Sequence, residues 1–253
     1  MNLGLSLAYL FFLGSLLGWG LELVFRKFFS SANPEHKWIN PGFCMGPYVP
    51  LYGVGLCLLY LISSGAESLG VHENAWGRVG LFVCMMLVLT AIEYIAGLFC
   101  LRVMKVRLWD YSKQPGNFQG LICPFFSLVW GAAGSLYFYV IHPYTLNALG
   151  WLQTHLAFSF AVGYFFGVFS IDVVYSMQLV ARIKQYAEEN EVVVRYEALK
   201  AHIQSFVNRN AQENHIRSPR LRFFFPFRSP RSLNEHLREA IETLEERRRK
   251  HMK

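Results

Sequence analysis

Five apolar stretches constrain this chain more than anything else in it. They run from about Leu3 to Phe29, Pro50 to Ser64, Val79 to Leu101, Ile122 to Ile141 and Leu152 to Val180. A hydrocarbon core of about 30 Å takes roughly 20 helical residues to cross, so each run is a candidate span, the second being short. Inside lipid every backbone N–H and C=O must be satisfied within the fold, and continuous apolar runs of this length do that as helices. With 53% hydrophobic and only 16% charged residues, the composition departs from that of a soluble domain in the same direction. The expected fold is therefore all-α, a polytopic membrane protein of five transmembrane helices. The first run lacks a basic leader and an Ala-x-Ala site and reads as a span, not a cleaved signal.

The charges are segregated. From Arg182 onward there are 16 Lys/Arg and 10 Asp/Glu, whereas residues 1–181 hold 8 and 7. Two regions follow, a transmembrane domain over 1–181 and a basic helical tail over 182–253. The connection after span one carries Arg26, Lys27 and Lys37, and that after span three carries Arg102, Lys105, Arg107 and Lys113. The connection after span two offers only Arg78, and the one after span four has no Lys or Arg. Because basic residues favour the cytoplasmic face, the expected topology is N-terminus out and C-terminus in.

Between spans one and two lies Trp38–Gly53, sixteen residues holding Pro41, Pro47, Pro50, Gly42, Gly46 and Gly53 among four aromatics. Such a density of breakers defeats a helix or strand, and a stretch without charges is too apolar for a solvated linker. It reads as a folded, partly buried connection lining a cavity. Three carboxylates, Glu22, Glu93 and Asp172, fall within spans, where a charge is expensive and tends to face the bundle interior, to pair or to titrate. At about 1.5 Å per residue, the basic residues that follow place them about 6, 13 and 15 Å from the inner interface. Glu22 and Arg26 are i,i+4 neighbours that can simply pair. Glu93 and Asp172 lack a basic neighbour within a turn and need a partner from another helix, a bound cation or a proton. Each is open to two readings, a functional polar site or a structural link between helices.

A second unusual segment, Arg107–Gly120, joins spans three and four. Asp110, Ser112 and the Pro115-Gly116-Asn117 run are turn formers, and Trp109 and Tyr111 suit the membrane interface. Gly14/Gly18, Gly163/Gly167 and Gly131/Gly134/Ser135 read as close helix contacts. The five cysteines are scattered and read as small core residues. The eight histidines are dispersed along the chain, with His36 and His142 expected in loops, and no metal site is expected. In the tail, a helical continuation of span five leads to a stripe of Val193, Tyr196, Leu199, Ile203 and Phe206. Arg217, Arg220, Arg222, Arg228 and Arg231, interleaved with Phe223, Phe225 and two further phenylalanines, suit anionic lipid headgroups better than nucleic acid. A last helix is expected from Ser232, capped with Glu235 and striped by Leu233, Leu237, Ile241 and Leu244.

The motifs Gly18-Trp19-x-x-Glu22, Asn40-Pro-Gly-Phe43-x-x-Gly46-Pro47-x-x-Pro50-x-Tyr52-Gly53, Glu93-Tyr94 and Trp109-Asp110-Tyr111-Ser112 occur in order, followed by Asn117, Gly120 and Ser127-x-x-Trp130-Gly131. Over about residues 5–135 the chain resembles the bacterial family of type IV ABC-transporter permeases (CmpB-like integral membrane proteins). That family usually has Asn-Arg-Gly-Phe where Pro41 stands here. The resemblance implies a multi-pass protein of the bacterial inner membrane and adds Trp19, Asn40 and Tyr52 to the candidate set. The expected function is a permease-like or substrate-binding subunit, its polar cavity open to the cytoplasm and lined by Glu22, Glu93, Asp172, Trp19, Asn40, Tyr52, Trp109, Asp110, Tyr111 and Asn117. No cofactor and no catalytic residue is expected. The chain has no Gly-x-x-x-x-Gly-Lys-Ser/Thr loop, so a separate ATPase would be the partner, with a homo-oligomer as a further expectation. Two alternatives stand beside this: a membrane scaffold recruiting a partner through its tail, and an embedded enzyme acting on a lipid headgroup.

Overall fold

A computed structural model describes residues 2–30, 33, 36–190, 192–213, 233–239 and 242. In chain order they form α1 (Leu3–Phe28), α2 (Pro50–Ser68), α3 (Ala75–Arg102), β1 (Val106–Arg107), α4 (Pro124–Leu136), α5 (His142–Thr154), α6 (Ser159–Glu189), β2 (Val194–Arg195) and α7 (Tyr196–Glu213). Residues 233–239 are helical. The Arg/Phe-rich segment, Ser232, Ile241 and Leu244 lie outside the described residues.

Among the described residues, five segments are long and apolar enough to cross a membrane: Leu3–Phe28, Pro50–Ser68, Ala75–Arg102, Pro124–Thr154 and Leu156–Glu189. Pro50 opens α2, where its missing N–H costs nothing, after an extended Val49. The fourth segment corrects the sequence expectation, which ended it at Ile141. The helix instead widens into a π turn over Tyr137–Ile141 and continues as α5. Pro143 removes a donor and crowds the carbonyl four residues back, and a wider turn ahead of it lets the helix carry on. His142, expected in a loop, is consequently a fully buried helical residue. The tail likewise differs, because α6 stops at Glu189 and the chain passes through β2 before α7.

The chain divides into two compact units: Met1–Trp19, Tyr48–Leu98 and Asp110–Ile171 form unit 1, and Gly20–Pro47, Phe99–Trp109 and Asp172–Lys253 form unit 2. In unit 1, Tyr9, Leu10, Leu149, Leu152 and Val162 make one core, and Ala66, Leu81, Met85 and Phe138 another. Here the small residues do what their spacing predicts. A Cβ on Gly18 would overlap the Tyr52 side chain, and one on Gly134 would come within 2.7 Å of Met85 Cβ. Gly163 and Gly167 correct the same expectation, since a Cβ on either would meet nothing within 4 Å. Exposed Leu87, Ile95, Phe160 and Ile171 form the kind of apolar surface that lipid covers.

Unit 2 is built around Cys100, Met104, Val106, Val180, Ile183, Val194, Tyr196, Leu199, Ile203 and Leu237. Its two short strands pair in parallel, Val106 with Val194 and Arg107 with Arg195, a departure from the all-α expectation. The period of two along a strand sends both valines into the core while Arg107 and Arg195 point away.

Candidate functional site

Each unit organises one of the deep carboxylates. In unit 1, α3 carries Glu93, only 4% exposed. Tyr111 Oη donates to its Oε1 at 3.0 Å and Trp130 Nε1 to its Oε2 at 2.9 Å. Both donors are side chains that are themselves held in place. The Tyr111 ring stacks on Phe126 at 4.5 Å, and Tyr52 meets Trp130 edge-on at 6.0 Å. Tyr111 can reach α3 because its loop is closed on itself. Tyr111 N–H donates to Gly120 C=O, Asn117 Nδ2 to the carbonyls of Ser112 and Gln114, and Gly120 N–H to Asn117 Oδ1. Asp110 accepts from the Ser112 N–H. Asp110 and Asn117 thus act as the turn formers the sequence suggested, and Trp19 is half-buried on α1.

In unit 2 the carboxylate is Asp172 on α6, and its donors are mostly backbone. Met45 N–H reaches both oxygens at 3.1 Å, Gly46 N–H reaches Oδ2 at 2.7 Å, and Ser176 Oγ donates to Oδ1 at 2.9 Å. Successive N–H groups aimed at one anion form a nest, which an irregular loop can offer and a helix interior cannot. Asn40 braces the loop by donating from Nδ2 to Met45 C=O at 2.7 Å. On its other side the loop accepts from α7. Lys200 Nζ donates to Asn40 C=O at 3.1 Å and to Gly42 C=O at 2.8 Å, and Tyr196 Oη donates to Phe43 C=O. Gly42 has φ 71°, the left-handed region that glycine enters cheaply, directly after Pro41. The segment 40–46 is thereby clasped between Asp172 and Lys200.

Around this clasp the charges are paired. Arg26, 7% exposed, lies 2.9 Å from Glu22 Oε1 and 2.8 Å from Glu197 Oε2. The i,i+4 pairing of Glu22 is present, and Arg26 also ties α1 to α7. Burial shifts the neighbouring groups towards neutrality. It lowers Lys200 to about 7, with Arg26 adding to the effect while Cys44, Glu197 and Asp172 oppose it. Burial pushes the Cys44 thiol up to about 12, Asp172 adding to the rise and Lys200 opposing it. The Tyr196 phenol moves upward, again chiefly through burial.

Of the expected residues, Glu93, Tyr111 and Tyr52 gather in unit 1 around Trp130, while Asn40 and Asp172 gather in unit 2, where Glu22 is also found. Trp109 is half-buried in unit 2. Elsewhere in unit 2 a cavity of about 630 Å³ is lined by Tyr186, Asn190, Val192, Asn234, Glu235, Arg238 and Glu242, and none of the expected site residues borders it. Sequence reading missed Trp130 as a donor, and it missed Lys200 and the Met45–Gly46 nest altogether. A signal for Lys200 existed: it stands four residues after Tyr196, on the apolar stripe itself.

Membrane-length helices that carry carboxylates, each organised by an irregular segment, define a polytopic membrane protein with polar sites built into its spans. The chain belongs to the family described as "Putative ABC-transporter type IV", which it matches over residues 9–177, a region that includes Asp172. No curated protein and no solved structure matches the chain.

Proposed function

We propose that this chain is the permease-like membrane subunit of an ABC-type transport system, working with a separate ATPase. The basic residues after spans one and three and in the tail support placing its C-terminus in the cytoplasm of a bacterial cell, the chain crossing the inner membrane five times. Glu93 in unit 1, with Tyr52 and Tyr111 beside it, and Asp172 in unit 2, with Asn40 beside its loop, are each a polar site that would meet a solute. One observation carries this reading. The loop 40–46 is bonded at once to Asp172, on a membrane-length helix, and to Lys200, on a tail helix. A displacement of α7 by a partner therefore reaches a carboxylate within a span through two hydrogen-bonded steps, the kind of two-sided linkage that coupling between sites requires.

The test is purification of the full chain from its own membranes in mild detergent, followed by reconstitution. A nucleotide-binding subunit should co-purify. Lys200→Met should lower ATP-driven solute uptake by proteoliposomes without releasing that subunit, and Glu93→Gln should abolish uptake. A complex with no ATPase would overturn the transporter reading in favour of a scaffold, and uptake unaffected by Glu93→Gln would remove Glu93 from the path.

A further inference from the structure

The histidines are dispersed in sequence, yet two of them meet in unit 2. His202 is on α7, and His236 and Glu239 share one face of the helical residues 233–239, being three residues apart. One ligand atom from each of the three lies within 4.8 Å of the others. His202 Nε2 is 3.4 Å from Glu239 Oε2. Two ligand atoms at 2.0–2.1 Å from a tetrahedral zinc stand about 3.4 Å apart, so this separation is already that of a bound ion. His202 Nε2 is buried and makes no hydrogen bond, an arrangement that costs free energy unless a further partner engages the atom.

The backbones carrying these groups are fixed independently of any metal. Leu199 and Ile203 flank His202 in the core of unit 2, and Leu237, beside His236, is fully buried in the same core. His236 is 1% exposed, with Phe206 edge-on at 4.9 Å and His202 at 5.9 Å between ring centroids. The Glu239 side chain is 42% exposed, which leaves an approach from solvent. Two imidazoles and one carboxylate form a borderline donor set that suits zinc over magnesium or calcium, and three protein ligands leave a fourth position for water.

We propose that His202, His236 and Glu239 form a zinc-binding site that fastens residues 233–239 to α7. It goes beyond the transport reading and does not depend on it. The test uses the full chain with any affinity tag removed, stripped with chelator in detergent and titrated with ZnCl2 against a competing chelator, and in parallel with CoCl2. One equivalent should bind, and Co2+ should give the visible absorption of a tetrahedral nitrogen and oxygen site. His202→Ala, His236→Ala and Glu239→Gln should each weaken binding by more than about 100-fold, since even indirect supports of a metal site are worth 10–100-fold. His155→Ala, in unit 1, should bind as the parent does. Absence of stoichiometric binding to the parent chain, or a thiolate-to-cobalt charge-transfer band placing the ion on cysteine, would overturn the site without reference to any variant. So would unchanged affinity in the two histidine variants while circular dichroism shows them folded.

Discussion

Glu93 in unit 1 and Asp172 in unit 2 present the same problem, a carboxylate in a membrane-length helix, and meet it with opposite chemistry. Glu93 is satisfied by side chains, a phenol and an indole. Asp172 is satisfied by the main chain of a loop and by a serine on its own helix. A further difference lies in what surrounds them. On the Asp172 side, Lys200 lies within electrostatic reach of Asp172, Arg26 and Glu197, and Arg26 pairs with Glu22 and Glu197, whereas Tyr111 and Trp130, which donate to Glu93, are neutral. Unit 2 is thus the part in which charge balance, and hence pH and salt, should govern stability. Unit 1 should answer chiefly to the loss of individual donors.

The most damaging way to break this contrast is to remove Arg26. Its guanidinium joins Glu22 and Glu197, and Glu197 is only 9% exposed. Deleting one member of a buried pair leaves the other as an uncompensated charge, typically at a cost of about 3–5 kcal/mol. Arg26→Ala should therefore lower the thermal unfolding temperature in detergent more than any other single change in either region. Arg26→Ala combined with Glu197→Gln should recover part of the loss. If the double variant is no better than the single one, charge balance is not what holds unit 2 together.

Next in size is Asp172→Ala. It strands the N–H groups of Met45 and Gly46 and the Ser176 hydroxyl, and with hydrogen bonds to charged groups worth about 1.5–3 kcal/mol each, a net loss of about 3 kcal/mol follows after relaxation. Asp172→Asn keeps one acceptor and should lose roughly half as much. Limited proteolysis supplies the local reading, since the segment 40–46 should become cleavable in Asp172→Ala at concentrations of protease that leave the parent intact. A loop that stays protected would mean that the nest is not what orders it.

The contrast also accounts for how much the sequence disclosed. Five membrane-length segments were legible because hydrophobic runs of that length have few other uses. The Glu93 site was half legible: Tyr111 and Trp130 are large, distinctive side chains inside recognisable motifs, although nothing local pairs them with Glu93. The Asp172 site was nearly silent, because the donors its loop supplies are backbone N–H groups of Met45 and Gly46, and every residue but proline has one. Density of breakers marked the loop as folded without saying what it holds. The continuation of span four through Pro143 is hidden in the sequence for a related reason. Proline signals a break from sequence, and only the preceding π turn shows how the helix survives it.

The third expected effect lies in unit 1. Tyr111→Phe keeps the ring on Phe126 and removes one donor from Glu93, and Trp130→Phe removes the other. Each should cost about 2 kcal/mol, the value of a hydrogen bond to a buried carboxylate. Because both act on one carboxylate, the double variant should depart from additivity by more than about 0.5 kcal/mol. Additive losses would mean that the two donors do not share a site.

The smallest effect, about 1 kcal/mol per pH unit, concerns Lys200 and works through the unfolded chain as much as the native one. Its folded value of about 7 lies below the ordinary 10.5. Between those values the unfolded chain binds a proton that the native chain does not, so stability rises with pH across the window and the full penalty is present below pH 7. Cys44 and Tyr196 act in the opposite sense at higher pH: their native forms keep protons that the unfolded chain gives up above about pH 9 for the thiol and pH 10 for the phenol. The clean interval is therefore pH 7 to 9. Over it the parent should gain thermal stability as pH rises, and Lys200→Met should show a flat profile. The carbonyls of Asn40 and Gly42 lose their donor in that variant at every pH, which lowers the profile without tilting it, so the slope alone reports the buried amine. A slope retained in Lys200→Met would assign the titration to another group and remove the main pH-dependent difference between the two regions.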